Sequence, residues 1–220
     1  MRFQDASPDA RSVVYAGIQA DPLVGRLAAL LAVASPAQCI LARAVMNGQR
    51  TDPAIWRAMV PSCFPDAHSE AILAASLEVA ERGEQVRSQF RGAVVEAVTQ
   101  VLLQSRMAGP GPAVVRRERR ILFDGVRAEI HPYDVTVEVA GAAEAYDCKW
   151  GARGINTDVL HQLDDARTHA LEEEEPLSVA LVVFDSALAA DVRLDRQTAP
   201  HELTRLVTIE TLQALGARPS

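Results

Sequence analysis

The sequence predicts an α/β protein, a mixed sheet flanked by helices, with an all-helical region before it. Three observations carry that prediction. Two runs rich in β-branched and aromatic residues, 133–139 and 144–150, flank the turn Gly141-Ala142-Ala143 and read as a hairpin. Residues 177–184 form a continuous apolar run suited to a strand buried on both faces. Segments of helical periodicity stand on either side of the hairpin.

In chain order, residues 23–33 and 71–80 have strong helical composition. Between them, Thr51-Asp52-Pro53 reads as the cap and first turn of a helix through Trp56 and Met59, which Pro61-Ser62-Cys63-Phe64-Pro65 then breaks. The helix from Ser69 either ends near Gly83 or runs on to Leu103. Phe90, Val94, Val95, Val98, Val101 and Leu102 recur at helical spacing, and Gly109-Pro110-Gly111-Pro112 stops that helix. Ala113-Val114-Val115 and Ile121-Leu122-Phe123 then bracket the basic run Arg116-Arg117-Glu118-Arg119-Arg120. Past the hairpin, 159–166 reads as a helix, 177–184 as the buried strand and 207–210 as a further strand, with a short final helix. The expected organisation is a helical region over 1–85 and an α/β core over 86–220.

A chain of 220 residues with 49% hydrophobic content can bury a sizeable core. Cys39, Cys63 and Cys148 are widely spaced and odd in number, which fits a reducing compartment better than a disulfide framework. No cysteine–histidine grouping has zinc spacing. Residues 1–5 lack a charged-then-apolar signal pattern, and residues 27–40, interrupted by Ser35-Pro36, are too short an apolar stretch to span a bilayer. A cytoplasmic protein without a membrane partner is expected.

The chemistry concentrates in the hairpin. Residues two apart in a strand share a face, so Asp147 and Lys149 project together and Cys148 points the other way. Pairing of the strands would carry Asp134 beside them. Two acids and a lysine on one face suit magnesium-dependent hydrolysis of phosphodiesters. Mg2+ takes one or two carboxylates, waters and phosphate oxygens, which Asp134, Asp147 and the Cys148 carbonyl would begin to supply. Lys149 would orient or deprotonate the attacking water, or stabilise the phosphate. The other reading is a cross-strand ion pair on a solvated face, which stabilises little. The flanking Val135, Val137, Val139, Tyr146 and Trp150 argue for core strands instead.

With these residues in place, the sequence resembles the PD-(D/E)xK nuclease superfamily, the restriction-endonuclease-like fold, over residues 86–215. Asp134 matches the first acid, with Tyr133 standing between it and Pro132, and Asp147-Cys148-Lys149 matches the second motif. The resemblance implies hydrolysis of DNA with Mg2+, for which Mn2+ substitutes, by a homodimer whose two sites cut two strands. It also implies Glu96 as a further metal ligand on the first core helix and Gln162 near the site. Defence against foreign DNA or DNA repair follows from the family alone. The residues themselves leave other roles open: Glu96 as the wet edge of a helix, Gln162 as a surface or capping residue, Arg153 as a solvated loop residue. Glu138 is a ligand or a strand-end charge, and Glu129 and Glu144 are decoys of the same type.

The formal net charge of −7 opposes binding to nucleic acid unless charge is uneven. Residues 116–120 are either a local phosphate-binding patch or one solvated strand face. Residues 172–175, all glutamate, are expected in a solvated helix end. A partner protein or activating ligand would relieve the charge balance. Two rivals remain: an inactive module of the same fold that binds nucleic acid or protein, and a nuclease for RNA or for particular DNA structures.

Overall fold

The structure, a computed structural model, describes residues 1–6, 10–48, 52–108, 113–123, 126–127, 131–200 and 204–217, with side chains for all of these except 10–13 and 126–127. It contains two compact units, Asp9–Val101 and a second made of Met1–Pro8 with Leu102–Ser220.

The first unit is helical, and its helix starts share one device. Helices α1 (Ala10–Gln19), α2 (Pro22–Leu31), α3 (Pro36–Asn47), α4 (Pro53–Cys63) and α5 (Ala67–Ala80) lead into α6 (Glu84–Met107). Asp21, Ser35, Asp52 and Asp66 each accept a backbone N–H of the following first turn, and proline opens α2, α3 and α4. Leu41, Val45, Val60, Leu73 and Leu77 form an apolar cluster within this unit. The break expected over Pro61 to Pro65 falls inside that run: α4 carries Pro61 and ends at Cys63, with Phe64 as its cap. The helix from Ser69 does stop short: α5 ends at Ala80, and Arg87 of α6 donates to the Ala80 carbonyl at 3.1 Å.

The second unit is α/β. Its mixed sheet has seven strands: β1 (Arg2–Asp5), β2 (Val114–Phe123), β3 (Val126–Arg127), β4 (Tyr133–Val139), β5 (Ala142–Lys149), β6 (Leu177–Val183) and β7 (Arg205–Val207). The spatial order is β1-β2-β4-β5-β6-β7, with β3 paired to β2. Pairing is antiparallel from β1 through β5 and parallel from β5 through β7. Parallel neighbours need a crossover, supplied by α7 (Thr157–Glu172) between β5 and β6 and α8 (Ala187–Leu194) between β6 and β7. Val159, Leu160, Leu163, Ala166 and Ala170 of α7 share one core cluster with Ala145, Val179, Leu181 and Val183 of the sheet.

Several elements differ from the sequence expectation. Residues 2–5, within the region expected to be helical, form β1, which pairs Phe3 with Ile121. Four residues hold no local signal for a strand, and only the partner makes one. The arginine run does lie within one strand, β2, as the expected order of elements has it, with Glu118 at φ 53° inside it. The strand expected over 207–210 ends at Val207, and a Thr208–Thr211 turn follows. The last helix is the 3₁₀ turn Leu212–Gly216, and α8, capped by Ser186, is a further helix between β6 and β7. The boundary expected near residue 85 lies at the start of α6, whereas the two units meet inside that helix, between Val101 and Leu102. Gly109 to Pro112 lie outside the described residues.

Among the described residues no helix is long and apolar enough to cross a membrane. Burial pushes the Cys39 thiol up to about 12, and Cys148 is also buried while Cys63 is exposed. Since the thiolate is the reactive form, a thiol reagent should modify Cys63 quickly in native protein and the other two only after denaturation. Native and denatured thiol titrations check this.

Candidate active site

The hairpin ladder matches Val139 to Ala142, Val137 to Glu144 and Val135 to Tyr146. One step beyond the last pair lie Asp134 and Asp147. There the backbone ladder ends, and the Cys148 N–H donates instead to Asp134 Oδ2 at 2.6 Å. Strand alternation sets Lys149 on the same face as Asp147, and its ammonium donates to Asp147 Oδ1. Asp147 is 6% exposed, and the Lys149 side chain is 25% exposed.

Burial works to lower the Lys149 pKa, but the Asp147 and Asp134 carboxylates outweigh it and hold the ammonium above the ordinary lysine range. Asp134 therefore acts on the same ammonium as Asp147. The three formal charges sum to a single negative one, so the trio favours a further cation. A strand residue turns its N–H and C=O toward the same neighbour; the Cys148 carbonyl accordingly faces the β4 side, as its N–H does.

These donors fit magnesium by chemistry: two hard carboxylates and a carbonyl, with room in the shell for water and phosphate oxygens. Among the described residues no group of three or more His, Cys, Asp and Glu could hold a metal ion. A cation here would rest on Asp134 and Asp147 with oxygen ligands from solvent and substrate, not in an all-protein cage.

Several of the other expected residues have partners of their own. Glu96 lies in the helical unit, where it accepts hydrogen bonds from Tyr15 Oη and, at 2.7 Å, Gln19 Nε2. Gln162, read as surface, capping or site residue, is buried on α7 and grips the His131 backbone: Nε2 donates to the carbonyl at 3.1 Å and Oε1 accepts the N–H at 3.3 Å. Tyr133 Oη also donates to the Gln162 carbonyl at 3.2 Å. Gln162 thus braces the approach to Asp134. Glu138 accepts from Arg119 at 2.9 Å and from Thr136 at 3.2 Å, and Glu144 accepts from Arg106 at 2.7 Å and from Tyr146. Glu129 lies outside the described residues. Arg153 is exposed in the 3₁₀ turn Ala152–Gly154 that follows Lys149.

The arginine run does not present one patch. Arg119 is 8% exposed and bridges Asp5 and Glu138, while Arg116 is exposed and Arg117 and Arg120 are half-buried. Glu173 and Glu175 of the acidic run pair with the Met1 amine.

Two signals were missed. Of the 22 lysine and arginine residues in the sequence, Lys149 alone is a lysine. Were its position a matter of chance among those sites, it would fall here about one time in 22. Lysine and arginine differ in shape and in how far their pKa shifts, so the position of the one compact ammonium is a signal that composition alone offers. The second signal is Gly154. A Cβ there would stand 3.0 Å from Lys149 Cβ and 3.1 Å from its Cγ and Cδ.

No protein-family model matches the sequence, and no curated protein is similar to it. The structure is similar to the crystal structure of protein VC1899 from Vibrio cholerae, with a TM-score of 0.50 and 14% identity. The match covers 98% of this chain and 56% of that one, so this chain spans little more than half of its length. At that identity the likeness shows the fold alone.

Two measurements follow from this geometry. Gln162→Ala removes both grips on His131 and should lower stability by about 1–3 kcal/mol in urea unfolding. The Lys149 pKa is raised on folding, so its contribution is complete below the ordinary lysine value and is lost as pH rises through the folded one. Unfolding of wild type and Lys149→Met compared across alkaline pH should show their stability difference shrinking in that window.

Proposed function

We propose that the α/β unit is a restriction-endonuclease-like core that hydrolyses phosphodiester bonds of DNA with Mg2+, for which Mn2+ substitutes. The observation that carries this reading is the meeting of Asp134, Asp147 and the sequence's only lysine at the open end of the β4–β5 hairpin. Asp134 and Asp147 would hold the cation, beside the Cys148 carbonyl. When bound, the cation supplies a lowered pKa for water and a counter-charge for the phosphate. Lys149, protonated and paired with Asp147, has no lone pair with which to take a proton. Its role is that of a fixed cation that orients the attacking water and stabilises charge growing on the phosphate oxygens. Gln162, through His131 and Tyr133, keeps Asp134 in reach of that water.

A homodimer cutting two strands, a cytoplasmic setting, a partner protein or activating ligand, Glu96 as a further ligand, and work in defence or repair extend this proposal on family resemblance alone. The burial of Arg119 and the net charge of −7 favour the inactive binding module as the second reading.

The test is cleavage of plasmid, linear duplex, single-stranded DNA and RNA with Mg2+ or Mn2+. Asp147→Ala should abolish cutting. Lys149→Ala and Lys149→Arg should each lower kcat by about 10²–10³-fold, the loss typical of one preorganised electrostatic contact; arginine should not rescue, because its planar fork replaces a compact point charge. Cutting that persists unchanged in Asp147→Ala sinks the assignment. No cutting by wild type, with no carboxylate-dependent binding of Mn2+, selects the inactive module.

A further inference from the structure

Lys149 ends β5, where its carbonyl accepts the Phe184 N–H at 2.8 Å. The connection that follows, residues 150–156, is anchored at Trp150, Ala152 and Ile155 to the segment after β6 and to α8. Trp150 stacks on Phe184, with ring centroids 5.2 Å apart. The Ala152 N–H donates to Asp185 Oδ2 at 3.1 Å, while Asp185 Oδ1 accepts the Ser186 N–H at 3.0 Å. The Asp185 carbonyl in turn accepts the Ile209 N–H at 3.1 Å. Arg193 Nε donates to the Ile155 carbonyl at 2.8 Å. Between those anchors the chain makes one 3₁₀ turn, and at Gly154 on that turn an added Cβ would stand 3.0 Å from Lys149 Cβ and 3.1 Å from its Cγ and Cδ.

Ordinary loop closure would satisfy the same backbone groups without seating a glycine on a lysine stem. A lysine stem is flexible and samples many rotamers; the Gly154 backbone passes so near its Cβ, Cγ and Cδ that a side chain there would crowd them, which limits that freedom. We infer that Asp185, Arg193 and Gly154 are positioning residues for Lys149, bracing the 150–155 connection against its stem so that the ammonium stays at Asp147. Asp185 works through the Ala152 amide, Arg193 through the Ile155 carbonyl, and Gly154 by leaving the space that the stem occupies. This inference deepens the proposed site, yet its geometry stands whatever reaction the site serves.

Because Lys149 is the sequence's only lysine, an amine-reactive acetylating reagent reports on one side chain. The N-terminal amine shares that chemistry, and peptide mass spectrometry separates the two. The protein would be labelled without divalent cation as wild type, Asp185→Ala, Arg193→Gln and Gly154→Ala. Arg106→Met serves as control, since it removes the partner of Glu144 at the far end of β5. Lys149 should label severalfold faster in the three variants and at the wild-type rate in the control. In the cleavage assay the same variants should lose about 100-fold in kcat with KM held, the cost of a small misplacement. Labelling that stays at the wild-type rate in folded Asp185→Ala and Gly154→Ala overturns the inference, as does an equal rise in an equally destabilised Arg106→Met. Should Asp185→Ala fail to fold, Asp185→Asn retains one acceptor and should show a smaller rise; no rise overturns the inference. Labelling requires no substrate, so a protein that cuts nothing still answers this question, and failure of the nuclease reading stays separate from failure of this one.

Discussion

The arrangement at the candidate site depends on where the β4–β5 ladder stops. Val135 and Tyr146 are its last matched pair, and the amide beyond them, that of Cys148, finds the Asp134 carboxylate instead of a strand carbonyl. A hydrogen bond from a backbone amide to an ionised acid is short and strong, so Asp134 is held at the strand end and not left to solvent. Strand alternation does the rest. Side chains two apart share a face, so Asp147 and Lys149 fall together and the Cys148 side chain takes the other face.

The parallel half of the sheet then closes around this end. Parallel pairing of β5 with β6 requires a crossover, and the helix that makes it, α7, carries Gln162 back to the His131 backbone just before Asp134. The crossover into β7 likewise brings Asp185 and Arg193 to the connection after Lys149. The backbone before Asp134 and the connection after Lys149 are therefore both held by segments distant in sequence. Two nearby carboxylates repel each other and raise the energy of the charged state. Lys149 offsets one of them, and the remaining negative charge is what supports the proposed cation at this site.

Much of the fold was legible because its signals are local. The hairpin, the apolar β6 and α7 each show their own period, and Asp52-Pro53 marks the start of α4. The shared face of Asp147 and Lys149 follows from a period of two and from nothing else. β1 was not legible, since four residues become a strand only against Ile121 and its neighbours. Nor was the fate of the arginine run. Arg119 is paired with Asp5, 114 residues away, and with Glu138 on β4, which turns an apparent surface charge into a buried bridge. Glu96 and Gln162 were drawn toward the site by resemblance; the structure gives the first two partners in the helical unit and the second a backbone to hold. The singular lysine was in plain view as composition, and Gly154 carried no sign that a stem would rest on it.

The sequence by itself determined the periodicities, the caps and stops, and the one-face placement of an acid and a lysine, because strand alternation and helix capping act over a few residues. Only the tertiary structure decided which acids meet, which arginines are neutralised and what holds Lys149 in place. Those outcomes rest on pairings between strands and on loops anchored tens of residues away, and no local pattern records which partner a hydrogen-bonding group will find.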